Sequence, residues 1–257
     1  MKKKFLGLIE DVAKREGQRR FKAFELFLEL SFRALRGKTL IGSAFEENEK
    51  AYLREVGRLR CPEESTRDIA IALACATLEI SNKGVDFLGP LFMEIAGSPE
   101  LGQFFTPWDV TRLMSKLVAR DWKKALGDKP YLTVHEPACG VGGMALGMAM
   151  DIRDAGLDVA RQIHFVLVDI DINCVRAAYI QSCLAGMSAS VVHGNSITLE
   201  EWSVSHTPMA IIYPKPALDR IPPIKKNVIG MSASTHAQNF SITRNDAESQ
   251  PQSMMEI

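Results

Sequence analysis

The chain has 257 residues and no net charge, since 31 Lys and Arg balance 31 Asp and Glu. Apolar residues make up 46% and charged residues 24%, which is typical of a globular protein and excludes a disordered or fibrous chain. No apolar run reaches the length of a membrane span. The five cysteines and five histidines show no metal-ligand spacing, so we expect no metal site and a reducing, cytoplasmic location.

Residues 1–100 are predicted to be an all-helical N-terminal region. Apolar residues at helical spacing predict a helix over 18–36, a second over 63–80 and a third over 85–96. Ser65 and Asp68 are placed like a capping pair for the second helix. Residues 1–60 hold 15 Lys and Arg against 9 Asp and Glu. This excess suits a phosphate backbone, and a solvated helical surface explains it equally well.

Residues 101–220 are predicted to form an α/β domain, because apolar strand patterns alternate with helical ones. We expect four strands, at Tyr131–His135, Ile163–Val168, Ala189–His193 and Met209–Tyr213. Four strands make a small sheet, so the sheet is expected to be incomplete. Residues 221–257 are rich in Ser, Asn, Gln and Thr, which predicts a disordered tail.

A glycine-rich turn follows the first predicted strand and reads Glu136-Pro137-Ala138-Cys139-Gly140-Val141-Gly142-Gly143. A strand, a glycine turn and a helix start are the geometry that holds a nucleotide-like cofactor. The spacing Gly140-x-Gly142-x-x-Ala145 also fits a dinucleotide site. Glu136 favours S-adenosylmethionine instead, because a carboxylate repels pyrophosphate and suits a cationic ligand. A structural turn without a ligand is the third interpretation.

Two motifs in order carry a resemblance to a known family. Gln103-Phe104-Phe105-Thr106-Pro107 precedes the glycine-rich turn, and both resemble motifs of N6-adenine DNA methyltransferases of the type I modification-subunit kind. The segment Asp86-Phe87-Leu88-Gly89-Pro90 is similar to the lead-in of that family. The resemblance covers about residues 84–200. It implies a Rossmann-like methyltransferase core, S-adenosylmethionine as cofactor, DNA as a partner and a separate specificity or recognition subunit.

The resemblance also assigns cofactor contacts. Phe105, Thr106 and Pro107 would pack on the methionine part, and the cofactor loop would be shaped by Glu136, Pro137, Gly140 and Gly142. Asp169 ends the second predicted strand, where a carboxylate can accept both ribose hydroxyls, with Asp171 as the competitor. Either aspartate can instead cap the next helix. Asn195 matches a position that contacts adenine, and a plain turn explains it as well.

The catalytic motif departs from the family pattern. Adenine methyltransferases place Asn or Asp, two prolines or Pro-x, and an aromatic residue after strand four, where they receive the flipped base. This chain reads Tyr213-Pro214-Lys215-Pro216 there, so Tyr213 and Pro214 are predicted as a degenerate catalytic pair. We expect an adenine-N6 DNA methyltransferase-like protein that uses S-adenosylmethionine. The alternatives are a non-catalytic subunit that binds this cofactor beside a DNA-recognition partner, and a dinucleotide-dependent oxidoreductase.

Overall fold

The computed structural model describes residues 1–96, 106–118, 121–215 and 241–243. The predicted boundary at residue 100, Phe105 and all but three residues of the predicted tail 221–257 lie outside the described residues. Within the described ranges, no helix combines the length and the apolar character that a membrane crossing needs.

The N-terminal region is helical, as predicted. Its elements are α1 (Lys2–Glu16), α2 (Arg20–Arg36), a 3-10 turn (Gly37–Thr39), α3 (Gly42–Val56), α4 (Pro62–Lys83) and α5 (Leu88–Ala96). Phe24, Phe27 and Phe32 of α2 are buried. The rings of Phe24 and Phe27 both pack on Phe5 of α1, with centroids 6.3 and 4.9 Å from that of Phe5, so this face of α2 belongs to the core.

Ser65 and Asp68 do not cap a helix, which corrects the expectation from the sequence. Helix α4 begins at Pro62, whose missing N–H suits a first turn, so Ser65 already lies inside the helix. The Ser65 hydroxyl donates to Glu16 at 2.6 Å, and Asp68 accepts from Arg15 at 2.7 Å. Both side chains therefore connect α4 to α1.

The second half of the chain alternates strands and helices around one sheet. Its elements are α6 (Trp108–Val118), α7 (Trp122–Leu126), β1 (Leu132–Glu136), α8 (Gly143–Asp154), β2 (Ile163–Asp169), α9 (Ile172–Leu184), β3 (Ala189–Asn195), β4 (Glu200–His206), α10 (Pro208–Ile212) and β5 (Ser241–Thr243). The strand order is β4-β3-β2-β1-β5. Strands β1, β2 and β3 are parallel, and the outer two strands are antiparallel to their neighbours. The central part is the predicted Rossmann-like core.

The fourth strand differs from the prediction. Residues 208–212 form α10, and the strand after β3 is Glu200–His206, which folds back antiparallel on β3. Pro208 occupies the first turn of α10, a position that favours a helix start. The expected strand at Met209–Tyr213 is therefore wrong. Three residues of the predicted tail form β5 instead, paired with β1.

The helical region packs against α9 of the α/β part through a continuous core of buried side chains. Phe32 of α2 meets Tyr179 of α9 edge to face, with ring centroids 5.0 Å apart. Asn173, near the start of α9, donates to Glu25 of α2 at 2.9 Å. The start of α9 follows directly on β2, so the helical region lies beside one end of the sheet.

Candidate cofactor-binding site

Three predicted site residues meet at one edge of the sheet. Glu136, Asp169 and Asn195 each end a strand, and the three strands run parallel. Ligands of open α/β sheets bind outside the carboxyl ends of the strands. We call this edge, with the loop 137–142 that follows β1, the cofactor edge.

Glu136 is buried with half of its carboxylate unsatisfied. The residue is 1% exposed, and Oε1 accepts from the Ala138 amide at 3.2 Å. Oε2 is buried and has no hydrogen-bond partner in the described part of the chain. Burial raises the pKa of Glu136 to about 7, and the nearby Asp169 carboxylate adds to the shift. A buried acceptor without a hydrogen bond is unfavourable, and a cationic or N–H group of a ligand would satisfy it.

Asp169 holds the glycine loop in place. Its Oδ2 accepts from the Gly140 amide at 2.8 Å, where φ is 53°, and its Oδ1 accepts from the Asp171 amide at 2.9 Å. Burial raises the pKa of Asp169. Each carboxylate oxygen has a second lone pair, so the side chain can still accept ribose hydroxyls. Asp171, its competitor, is the cap of α9, since it accepts from the Asn173 amide at 2.8 Å.

Gly142 is required by packing between two helices. Its φ is 89°, and a Cβ at this position would lie 3.3 Å from both Cα and Cβ of Ala178 in α9. A side chain at Gly142 would therefore meet α9. The role of Gly142 in shaping the cofactor loop stays a prediction. Pro137 lies half-buried between Glu136 and the glycines.

Asn195 forms a turn at the end of β3. Its Oδ1 accepts from the amides of Ile197 at 2.9 Å and Thr198 at 3.2 Å. This geometry matches the turn interpretation, and an adenine contact stays a prediction. Ile170, which is 60% exposed, and Ile197, which is 92% exposed, also belong to this edge. Neither of them is predicted from the sequence. Their only signal in the sequence is an apolar residue beside each predicted polar contact.

Thr106 and Pro107 lie immediately before α6. The Pro107 carbonyl accepts from the Thr111 amide at 2.9 Å. Helix α6 is held on α8 by Arg112, which pairs with Asp151 at 2.6 Å and donates to the Gly147 carbonyl at 3.2 Å. The structure thus attaches this segment to the helix that follows the cofactor loop. The contacts of both residues with a cofactor stay predictions.

Tyr213 and Pro214 are not brought to the cofactor edge. The Tyr213 hydroxyl accepts from Arg161 at 3.3 Å, and the Arg161 guanidinium lies 4.9 Å from the centre of the Tyr213 ring. Lys215 donates to the Arg161 carbonyl at 2.7 Å. Arg161 precedes β2, so this cluster lies at the amino end of the parallel strands. The predicted catalytic position depended on a strand at Met209–Tyr213, where the structure has α10 instead.

No group of His, Cys, Asp and Glu suited to a metal ion occurs among the described residues. The cofactor edge offers a glycine turn, two exposed isoleucines and two carboxylates. One carboxylate, Glu136, has an oxygen without a hydrogen-bond partner among the described residues, and the other, Asp169, accepts two backbone amides. These are groups for a ligand with cationic, hydroxyl and apolar parts.

Comparison with known proteins gives one family and one solved structure. A crystal structure from Listeria monocytogenes, described as a class I S-adenosylmethionine-dependent methyltransferase, shares 14% identity with a TM-score of 0.34. It aligns with 73% of this chain, which spans about half, 51%, of that protein. No curated protein matches. The N-6 DNA methylase family matches residues 92–218. These residues make up just under half of the chain, and over them the chain is similar to the N-6 DNA methylase family, which implies S-adenosylmethionine as the cofactor.

Proposed function

We propose that the chain binds S-adenosylmethionine at the cofactor edge and serves in adenine-N6 methylation of DNA. The observation that carries the site is the buried Oε2 of Glu136 at the end of β1, which has no partner among the described residues. The ammonium group of the methionine part would satisfy it with a charge-assisted hydrogen bond. The match of residues 92–218 to the N-6 DNA methylase family supports the reaction class.

The remaining groups fit the other parts of the cofactor. Asp169 would accept from the ribose hydroxyls while it holds the Gly140 amide. Ile170 and Ile197 offer apolar surface for the adenine ring. When bound, the cofactor supplies an electrophilic methyl group on its sulfonium. A dinucleotide fits less well, since its pyrophosphate would meet the Glu136 carboxylate.

Calorimetry with S-adenosylmethionine and with NAD tests the site. We expect binding of the first and none of the second. Glu136→Gln should weaken S-adenosylmethionine binding about tenfold or more, because it removes a charge-assisted hydrogen bond. Glu63→Gln, on the exposed first turn of α4, is the matched control and should bind like the wild type. Equal affinities for Glu136→Gln and the wild type would reject the site.

A second candidate function is supported by the position of Tyr213 and Pro214. Both belong to the cluster around Arg161 at the far end of the strands, and the chain has no Asn in this segment. A cofactor-binding subunit that acts with a DNA-recognition partner needs no base pocket of its own. Methyl transfer by the isolated chain separates the two candidates.

A further inference from the structure

The side chain of Gln181 in α9 connects three separate segments. It is fully buried. Its Oε1 accepts from the amides of Phe87 at 3.0 Å and Leu88 at 3.1 Å. Its Nε2 donates to Asp86 Oδ1 at 2.9 Å and to the Val141 carbonyl at 2.8 Å. The amide therefore uses both N–H donors and both acceptor positions of its oxygen.

Three of the four hydrogen bonds of Gln181 satisfy backbone groups of other segments, those of Phe87, Leu88 and Val141. The Phe87 and Leu88 amides precede or begin α5 and lack helical partners, so Gln181 satisfies them from another element. The Val141 carbonyl belongs to the residue between Gly140 and Gly142, whose φ values are 53° and 89°. A loop between two such glycines is conformationally free unless it is tied down. Gln181 holds its central peptide.

Asp86 completes the connection from the helical region. Its Oδ1 accepts from the Gly89 amide at 2.8 Å as well as from Gln181. Its Oδ2 lies where a Cβ on Gly143 would approach to 2.8 Å, so Gly143 leaves room for the carboxylate at the start of α8. The lead-in before α5, the glycine loop and α9 thus share one buried polar junction.

We propose that Gln181 of α9 and Asp86 of the N-terminal helical region are positioning residues that together hold the glycine loop in its cofactor-binding shape. The proposal rests on the proposed function, because the loop is the cofactor loop. A loop already ordered before binding loses less conformational entropy when the ligand arrives. Removing the junction should therefore weaken cofactor binding, although neither side chain touches the cofactor.

The first test is the affinity of variants for S-adenosylmethionine. Gln181→Glu keeps the acceptor for Phe87 and Leu88 but loses the donors to Asp86 and Val141, and it brings two carboxylates together. We expect S-adenosylmethionine to bind about tenfold more weakly, which corresponds to the free energy of roughly one hydrogen bond. Adding Asp86→Asn replaces one carboxylate with an amide donor. The double variant should recover part of the affinity, a rescue that general destabilisation would not give.

The matched control is Tyr179→Phe on the same helix. It removes the Tyr179 hydroxyl, which donates to the His206 carbonyl at 3.1 Å and also hydrogen-bonds with Thr39 and Cys183, away from the glycine loop. It should lower the melting temperature without changing the affinity by more than about twofold. Wild-type affinity in Gln181→Glu, or the same loss of affinity in both variants, would overturn the proposal.

Hydrogen–deuterium exchange of the cofactor-free protein tests the positioning itself, even if the proposed function is wrong. In Gln181→Glu we expect faster exchange of the Cys139 and Gly142 amides, with the amides of β3 unchanged. In Tyr179→Phe the loop should exchange as in the wild type. Unchanged loop exchange in a folded Gln181→Glu variant would also overturn the proposal. Failure of the wild type to bind S-adenosylmethionine would instead overturn the proposed function.

Discussion

Two carboxylates at the cofactor edge, those of Glu136 and Asp169, are satisfied to different degrees. Both oxygens of Asp169 accept backbone amides, whereas one oxygen of Glu136 is buried without a partner among the described residues. Asp169 therefore stabilises the loop, whereas Glu136 has one oxygen available to accept a hydrogen bond from a ligand. Loss of the Asp169 carboxylate should therefore destabilise the fold as well as weaken binding, whereas neutralising Glu136 should weaken binding without destabilising the fold.

The raised pKa of Glu136 predicts how stability depends on pH. The carboxyl titrates at about 7 in the folded protein against a reference value of 4.5, so the folded state holds the extra proton between these values. Its contribution is present at low pH and is lost as pH rises from 4.5 to 7. Glu136→Gln should therefore stabilise the cofactor-free protein at pH 8, by on the order of 3 kcal/mol. Urea unfolding at pH 5 and pH 8 measures this, and an equal effect at both would contradict it.

Cofactor binding should have the opposite pH dependence. A cationic group prefers the Glu136 carboxylate, so affinity should rise from pH 5.5 to pH 8, by up to about tenfold per unit below pH 7. At pH 7 binding should release about half a proton, measured by calorimetry in buffers of different ionisation enthalpy. In Glu136→Gln both effects should disappear. A pH-independent wild type would mean that Glu136 does not meet the cationic group.

Asp169→Ala should affect both folding and binding. It leaves the Gly140 and Asp171 amides without their acceptor, a cost of about 1–3 kcal/mol. It also removes the ribose acceptor, so binding should weaken tenfold or more, about the value of a charge-assisted hydrogen bond. Thermal melting and calorimetry measure the two effects. The control Asp171→Ala removes the α9 cap for about 1 kcal/mol and should change affinity less than about threefold. Equal losses of affinity would leave Asp169 a structural role only.

At the level of elements, contact between α8 and α9 explains the glycine at position 142. Gly142→Ala combines a left-handed backbone, costing about 1–2 kcal/mol, with a Cβ 3.3 Å from Ala178. Gly186, at the end of α9, also has a positive φ of 63° but nothing within 4 Å of its added Cβ. Urea unfolding should show that Gly142→Ala destabilises more than Gly186→Ala. Equal destabilisation would mean that the backbone conformation, not packing on α9, requires Gly142.

The elements that sequence predicts well are those whose pattern matches their burial. Strand β2 is a continuous apolar run and lies buried along most of its length, so the prediction of Ile163–Val168 is confirmed. Strand β4 is mainly exposed and polar, so its sequence lacks the apolar pattern that predicts a strand. The apolar run at Met209–Ile212 is too short for its period to distinguish a strand from the helix that Pro208 begins.

At the level of the whole molecule, contacts between segments far apart in the chain could not be predicted from the sequence. The glycine turn and the acid at the end of β2 are local signals, and both lie at the cofactor edge. Gln181 has no such signal, because its partner Asp86 is 95 residues away and only the packing of the helical region on α9 brings them together. The position of Tyr213 depends in the same way on where α10 leaves the sheet.

That position leads to the prediction on activity. The isolated chain should bind S-adenosylmethionine yet transfer little or no methyl to adenine, because Tyr213 and Pro214 lie at the opposite end of the strands from Glu136 and no Asn stands in this segment. The purified protein is incubated with tritiated S-adenosylmethionine and mixed-sequence DNA, and label in the DNA is counted. The basic excess of residues 1–60 should still give weak, salt-sensitive DNA binding. Tyr213→Ala should leave cofactor affinity unchanged. Robust labelling that Tyr213→Ala abolishes would show that this segment reaches the base after all.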